Sequence, residues 1–130
     1  MNTVLLPLAG RLLIAALFLV AGVRKVVMFS LSVAYFTKLG FPLPEAMTAI
    51  AIAIEIGGAL LLILGWKARG AAWLLALFVL IATFMAHRFW EFDAAQQANQ
   101  LNHFLKNMAV IGGLLFIAAA GPGRVAVGRA

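Results

Sequence analysis

Residues 46–65 read AMTAIAIAIEIGGALLLILG, an apolar block whose one charged side chain, Glu55, lies near its middle. A helix of about 20 apolar residues is long enough to cross the hydrocarbon core of a bilayer. The alternation of alanine and isoleucine over residues 49–54 is also typical of a strand. Strands of membrane barrels, however, are about 10 residues long and alternate apolar with polar residues. We therefore predict a membrane-spanning helix that holds Glu55 at mid-depth.

Three further apolar blocks lie outward from this one, at residues 4–23, 70–86 and 104–120. The chain is 65% hydrophobic, and only 11% of its 130 residues are charged, which is far below the usual share in a soluble domain. Because the backbone must satisfy its own hydrogen bonds in hydrocarbon, the blocks are expected to be helices. The prediction is a single all-α domain over residues 1–130, a polytopic membrane protein with four antiparallel transmembrane helices in one bundle. The predicted spans cover about residues 7–28, 44–65, 70–89 and 103–120.

The connecting segments predict how these spans are joined. Residues 29–43 are rich in aromatic side chains and end near Gly40 and Pro42, which predicts a short helix lying at the membrane interface. The link over residues 65–70 is so short that spans 2 and 3 should form an antiparallel hairpin. The polar residues 91–103 are expected to form an exposed loop or a short amphipathic helix.

Charge and cysteine content exclude several classes of function. The net charge is +6, but the basic residues lie at the ends of spans, where they contact lipid headgroups, so a nucleic-acid partner is not expected. The chain contains no cysteine, so by itself it supplies no disulfide, iron–sulfur cluster or thiol relay.

The orientation in the membrane is weakly encoded, because four spans place both termini on one side and the basic residues divide equally between the two sides. The termini side carries Arg11, Lys67, Arg69, Arg124 and Arg129, and the opposite side carries Arg24, Lys25, Lys38, Arg88 and Lys106. We place the termini in the cytoplasm, because the hairpin link and the basic tail lie outside the bundle.

Helical spacing assigns an inward face to each span. Charged residues within spans face the bundle interior, and small residues line helix contacts. The predicted inward stripes are Arg11, Ala15, Phe18, Gly22 and Lys25 on span 1, Thr48, Ala51, Glu55, Gly58 and Leu62 on span 2, Thr83 and His87 on span 3, and His103 and Asn107 on span 4. Two glycine pairs, Gly57-Gly58 and Gly112-Gly113, predict sites of close helix packing.

The depth of the polar residues predicts a ligand site. A rise of about 1.5 Å per residue places Glu55 about 15 Å below the side that carries the long connectors. Lys25, His87, Lys106 and Asn107 lie between that depth and the rim. We therefore expect these five residues to form a ligand-binding pocket that opens on this side, with Glu55 at its base.

Structural roles remain open for the same residues. Glu55 is also a candidate for a structural ion pair, with either Arg11 or Lys25 as its partner. Arg11, Lys25 and Lys106 are long enough to extend their charges to the headgroups instead. Such pairs fix the packing of helices without binding any ligand.

The two histidines raise the possibility of a haem, since cofactors bind inside helical bundles. His87 and His103 both lie at the ends of spans, where histidine is common, so a haem is not expected. The spacings typical of metal-binding helices, Glu-x-x-His and HExxH, are absent from the sequence. We predict no metal and no intrinsic cofactor.

Several segments resemble the DoxX family of small bacterial four-span membrane proteins. They are GRLLIAALFLVAGVRKV in span 1, GFPLP before span 2, AIEIGGALLLILGWKAR through the hairpin, ATFMAHRFW in span 3 and FLKNMAVIGGLLFIAAAGPGR in span 4. The resemblance implies a four-helix bundle in the bacterial cytoplasmic (inner) membrane. It maps the family's polar positions onto Arg11, Lys25, Glu55, His87, Lys106 and Asn107.

The family is named after a membrane subunit of a thiosulfate:quinone oxidoreductase, so the resemblance implies an association with redox complexes. The first functional hypothesis is a non-catalytic membrane subunit or accessory protein that binds larger membrane subunits or associates with itself. The second is a component that binds a quinone or another small molecule near Glu55. The third is a small transporter. Whether the chain is an enzyme stays open.

Overall fold

The computed structural model describes residues 2–128, which are helical over most of their length and contain no strand. In chain order the elements are α1 (Asn2–Val27), α2 (Phe29–Lys38), α3 (Pro44–Leu64), α4 (Ala68–Ala86), a 3-10 turn (Phe89–Glu91) and α5 (Ala94–Ala120). Four of the helices, α1, α3, α4 and α5, are long and apolar enough to cross a membrane. The predicted all-α fold with four transmembrane helices is confirmed. Arg129, which entered the comparison of charges, lies outside the described residues.

Local sequence explains the hairpin between α3 and α4. Pro44 occupies the start of α3, where its missing N–H has no helical acceptor to lose. Gly65 ends the helix with a φ of 75°, a left-handed conformation that glycine adopts without steric cost. Lys67 also has a positive φ, 51°, and α4 begins at the next residue. The link is therefore even tighter than the predicted one.

Three helix ends differ from the predicted span boundaries. Helix α1 begins at Asn2, before the predicted boundary at residue 7, and α4 ends at Ala86 rather than near residue 89. Helix α5 begins at Ala94, so most of the polar stretch that was expected to be separate belongs to this helix. The reason is an N-cap: the Asp93 side chain accepts a hydrogen bond from the Gln96 N–H at 3.1 Å. No glycine or proline lies between Ala94 and the predicted start of the span at residue 103, so the helix runs through the polar stretch without a break.

The four long helices form a ring in which α1 packs on α3, α3 on α4, α4 on α5 and α5 on α1, while α2 lies against α3 and α1. We call the end of the bundle that carries α2 and the 3-10 turn the loop end, and the opposite end the termini end. Leu62, Leu75 and Leu114 are fully buried in the shared core. The predicted inward stripes of spans 1 and 2 are confirmed: all their members are buried except Lys25, which is partly buried.

Glycines set the distance between the helices, although only half of the predicted positions do so. A Cβ at Gly58 would lie 2.8 Å from Leu75 Cδ2, and one at Gly113 would lie 2.8 Å from Ile14 Cδ1. Gly57 has nothing within 4 Å of such an atom, and the same is true of Gly112. The second glycine of each pair is therefore the one that allows close packing.

Candidate functional site

A cavity of about 490 Å³ lies between the helices towards the loop end. Its volume falls within the range of roughly 300–1,000 Å³ that is typical of small-ligand pockets. All five side chains predicted to form the ligand site line it: Lys25, Glu55, His87, Lys106 and Asn107. The rest of the lining is almost entirely apolar. The structure thus brings the predicted residues together around one space, while their role in binding a ligand stays a prediction.

The base of the cavity holds an ion pair between α1 and α3. Lys25 Nζ lies 2.8 Å from Glu55 Oε1, and the two side chains are 26% and 6% exposed. The two helices approach closely here because Gly22 has no side chain. A Cβ at this position would lie 2.6 Å from the Ile56 side chain. No hydrogen-bond donor within residues 2–128 other than Lys25 reaches Glu55 Oε1. Of the two candidate partners for Glu55, the structure selects Lys25.

Arg11 has a different role, at the termini end. Its guanidinium, which is buried, donates hydrogen bonds to the backbone carbonyls of Pro122 and Val125. The N–H of Val127 donates to the Leu64 carbonyl at 2.8 Å, so residues 121–128 fold back across the end of the bundle. Arg11 therefore secures the C-terminal segment and does not pair with Glu55.

His87 lies at the rim of the cavity, directly after α4. Its Nδ1 is 2.7 Å from Gln100 Oε1. Since an amide oxygen only accepts, this contact places a hydrogen on Nδ1 and leaves Nε2 as the acceptor of the neutral ring. His103 stacks on the same ring, with 4.8 Å between centroids and 20° between planes.

Asn107 is held by a short chain of hydrogen bonds. Its Nδ2 donates to Thr83 Oγ1 at 3.0 Å, and that hydroxyl donates to the Val79 carbonyl at 2.7 Å. An amide carries two N–H groups, and this bond uses one of them. Lys106, the preceding residue, is exposed. The α5 side of the cavity therefore presents an oriented amide beside an exposed cation.

The main contribution that the sequence analysis missed comes from α2. Tyr35 and Phe36 of α2 line the cavity, and so do Leu39 and Phe41 from the segment that follows this helix. The aromatic composition of residues 29–43 pointed to the membrane interface but did not show which face would meet the bundle. Gln100 was missed as well, because a polar side chain in a polar stretch carries no signal of its own. Burial raises the pKa of Tyr35 above its ordinary value.

The site therefore combines an apolar space with a few polar groups from different helices. Desolvated walls strengthen each hydrogen bond that a ligand makes there. The ammonium of Lys106 and the amide of Asn107 are donors, and the imidazole of His87, whose Nδ1–H is directed at Gln100, offers Nε2 as an acceptor. Such an arrangement suits a flat, mostly apolar molecule that carries hydrogen-bond acceptors.

The fold defines a small polytopic membrane protein whose helices enclose a mostly apolar cavity. The chain belongs to the DoxX family, whose model matches residues 6–88. It is similar to two proteins of Escherichia coli strain K12: inner membrane protein YqjF, with 32% identity over 94% of this chain and 88% of the relative, and inner membrane protein YphA, with 29% identity over 95% and 89%. No solved structure matches the chain significantly. The protein is a multi-pass protein of the inner membrane.

Proposed function

We propose that this inner membrane protein binds a quinone in the cavity and serves as the quinone-holding membrane component of a larger redox system. The observation that carries the proposal is the cavity itself, in which an apolar lining meets five polar side chains drawn from α1, α3, α5 and the end of α4. A quinone has the matching character, a flat apolar ring with two carbonyl oxygens at its edge.

The residues divide into those that would bind the ring and those that would handle protons. Lys106 and Asn107 are donors suited to a carbonyl oxygen. His87, with Nδ1–H held by Gln100, accepts a proton at Nε2 and returns it. Glu55 and its partner Lys25 place opposite charges at the base of the cavity.

A quinone supplies two-electron chemistry with the uptake of two protons. The chain contains no cysteine for an iron–sulfur cluster, so we propose that the electrons come from a partner, a larger subunit bound to this one or to an assembly of its copies. This role agrees with the membrane-subunit hypothesis derived from the sequence. The cytoplasmic location of the termini, which we based on the hairpin link and the basic tail, stays a prediction.

The test is the binding of a photoreactive quinone analogue to the purified protein in lipid nanodiscs. We expect Glu55→Gln, His87→Ala and Lys106→Met each to weaken binding by about tenfold, the affinity equivalent of one lost hydrogen bond to a charged or oriented group. Lys38→Met is the matched control, because Lys38 is a basic residue of α2 that does not line the cavity. Equal binding by the wild type and all the variants would reject the proposal. A size-exclusion profile of each variant is the control for folding.

A further inference from the structure

The walls of the cavity are not closed towards the bilayer. Three lining residues on the adjacent helices α3 and α4 are about half exposed: Ile50 by 48%, Leu77 by 55% and Ile81 by 53%. Leu74 and Met85 line the cavity from α4 as well and are 45% and 37% exposed. The same side chains therefore border both the cavity and the outer surface of the bundle.

Helical geometry shows where this border lies. On α4 the buried face runs through Leu75 and Val79, and at 100° per residue Leu74 and Ile81 fall on the flank beside it. On α3 the buried face runs through Ala51 and Gly58, and Ile50 falls on the corresponding flank. Because the two helices are antiparallel, these flanks face the same side of the bundle.

The depth of the opening follows from the point where the helices touch. Gly58 packs directly on Leu75, so α3 and α4 are in close contact there. Ile50, the exposed lining residue of α3, lies on the loop-end side of Gly58. The gap therefore runs from mid-depth towards the loop end and leads inwards to Glu55.

We infer that the cavity opens sideways into the hydrocarbon between α3 and α4, through a gap bordered by Ile50, Leu77 and Ile81, and that its ligand carries a linear apolar tail that lies in this gap. This inference rests on the proposed function and refines it. It specifies a membrane-soluble ligand whose ring reaches the polar base while its tail remains in the bilayer. A water-soluble ring without a tail would not need an opening towards the bilayer to enter the cavity.

The physical argument for a tail is the composition of the gap. Its bordering side chains are all aliphatic or thioether groups, so a polar chain passing through it would lose hydrogen bonds without replacement. An alkyl or isoprenoid chain makes no hydrogen bonds that it could lose in the gap. Such a chain is also already dissolved in the bilayer hydrocarbon on the outer side of the gap.

The experiment compares two quinone analogues that share one ring, one with a decyl tail and one without, in nanodiscs that contain the wild type, Ile81→Trp or Leu13→Trp. Leu13 is the matched control, since it is 74% exposed on α1 and does not line the cavity. We expect Ile81→Trp to weaken binding of the tailed analogue by about tenfold, as an overpacked contact does, and to leave binding of the tail-less analogue unchanged. Leu13→Trp should change neither.

A second measurement does not depend on a variant. A diazirine on the first carbons of the tail should label Ile50, Leu77 or Ile81 in the wild type, as mapped by peptide mass spectrometry. Labelling of Leu17 on the α1 side instead, or an equal effect of Ile81→Trp on both analogues, would overturn the lateral opening while leaving quinone binding intact. Failure of the wild type to bind either analogue would overturn the proposed function and this inference together.

Discussion

Removing the two members of the ion pair separately should have unequal effects on stability. Lys25→Met leaves the Glu55 side chain, which is only 6% exposed, without its one partner. An uncompensated buried charge costs about 3–5 kcal/mol, so the free energy of unfolding should fall by about that amount. Glu55→Gln leaves Lys25, whose side chain is 26% exposed and lies in the last turn of α1. Its ammonium can turn towards the headgroups, so the loss should be about 1 kcal/mol, the value of one hydrogen bond.

The double variant completes the cycle. Lys25→Met combined with Glu55→Gln removes the stranded carboxylate, so it should be more stable than Lys25→Met alone. The assay is reversible unfolding in mixed micelles, followed by the loss of helical circular dichroism. If Glu55→Gln destabilises the protein as much as Lys25→Met, or if the two effects simply add, the pair is not a coupled buried interaction and the argument fails.

Three further predictions concern packing, the C-terminal segment and titration. Gly58→Ala should lower the melting temperature, because its Cβ would lie 2.8 Å from the Leu75 side chain, whereas Gly57→Ala, with nothing within 4 Å, should not; equal effects would contradict the packing. Arg11→Met should cost about 1–3 kcal/mol by leaving buried carbonyls unsatisfied and should make the C-terminal segment sensitive to protease; unchanged cleavage would contradict its role there. Tyr35, the only tyrosine, should titrate above its ordinary pKa of 10.0, because burial raises its pKa. Its contribution to stability should be complete below pH 10 and lost as the pH rises through the raised pKa; a tyrosinate absorbance midpoint at or below 10 would contradict this.

The fold was predictable because the sequence of each span is sufficient to predict its length and its inward face. The length follows from the apolar block, and the face follows from the helical spacing of small and charged residues. Glu55 lies in a stripe with Ala51 and Gly58 at helical spacing. This stripe must face the bundle interior, because a carboxylate facing the lipid would lose its hydration without gaining a partner. The same reasoning placed His87 and Asn107 on the inside. These inferences concern one helix at a time, and the only choice for each helix is which of its faces points into the bundle.

Relations between helices were less predictable, since they depend on rotation and axial offset. Sequence left Arg11 and Lys25 as equal partners for Glu55, and the choice follows from the close approach of Gly22 to α3. Arg11 bonds instead to a carbonyl 111 positions away, a contact that no local pattern reveals. Tyr35 and Phe36 of α2 also line the cavity. The sequence did not show this, because α2 has no fully buried residue that would indicate its orientation.

The most direct test of quinone binding is native mass spectrometry of the protein purified from its own membrane in mild detergent, followed by identification of the released small molecules. We predict one quinone per chain in the wild type, and its loss in Ala82→Phe, which fills the cavity from α4. Ala53→Phe, an exposed position on α3 outside the cavity lining, should retain the quinone. A wild-type protein that carries no quinone, or an Ala82→Phe variant that carries as much as the wild type, would contradict the account.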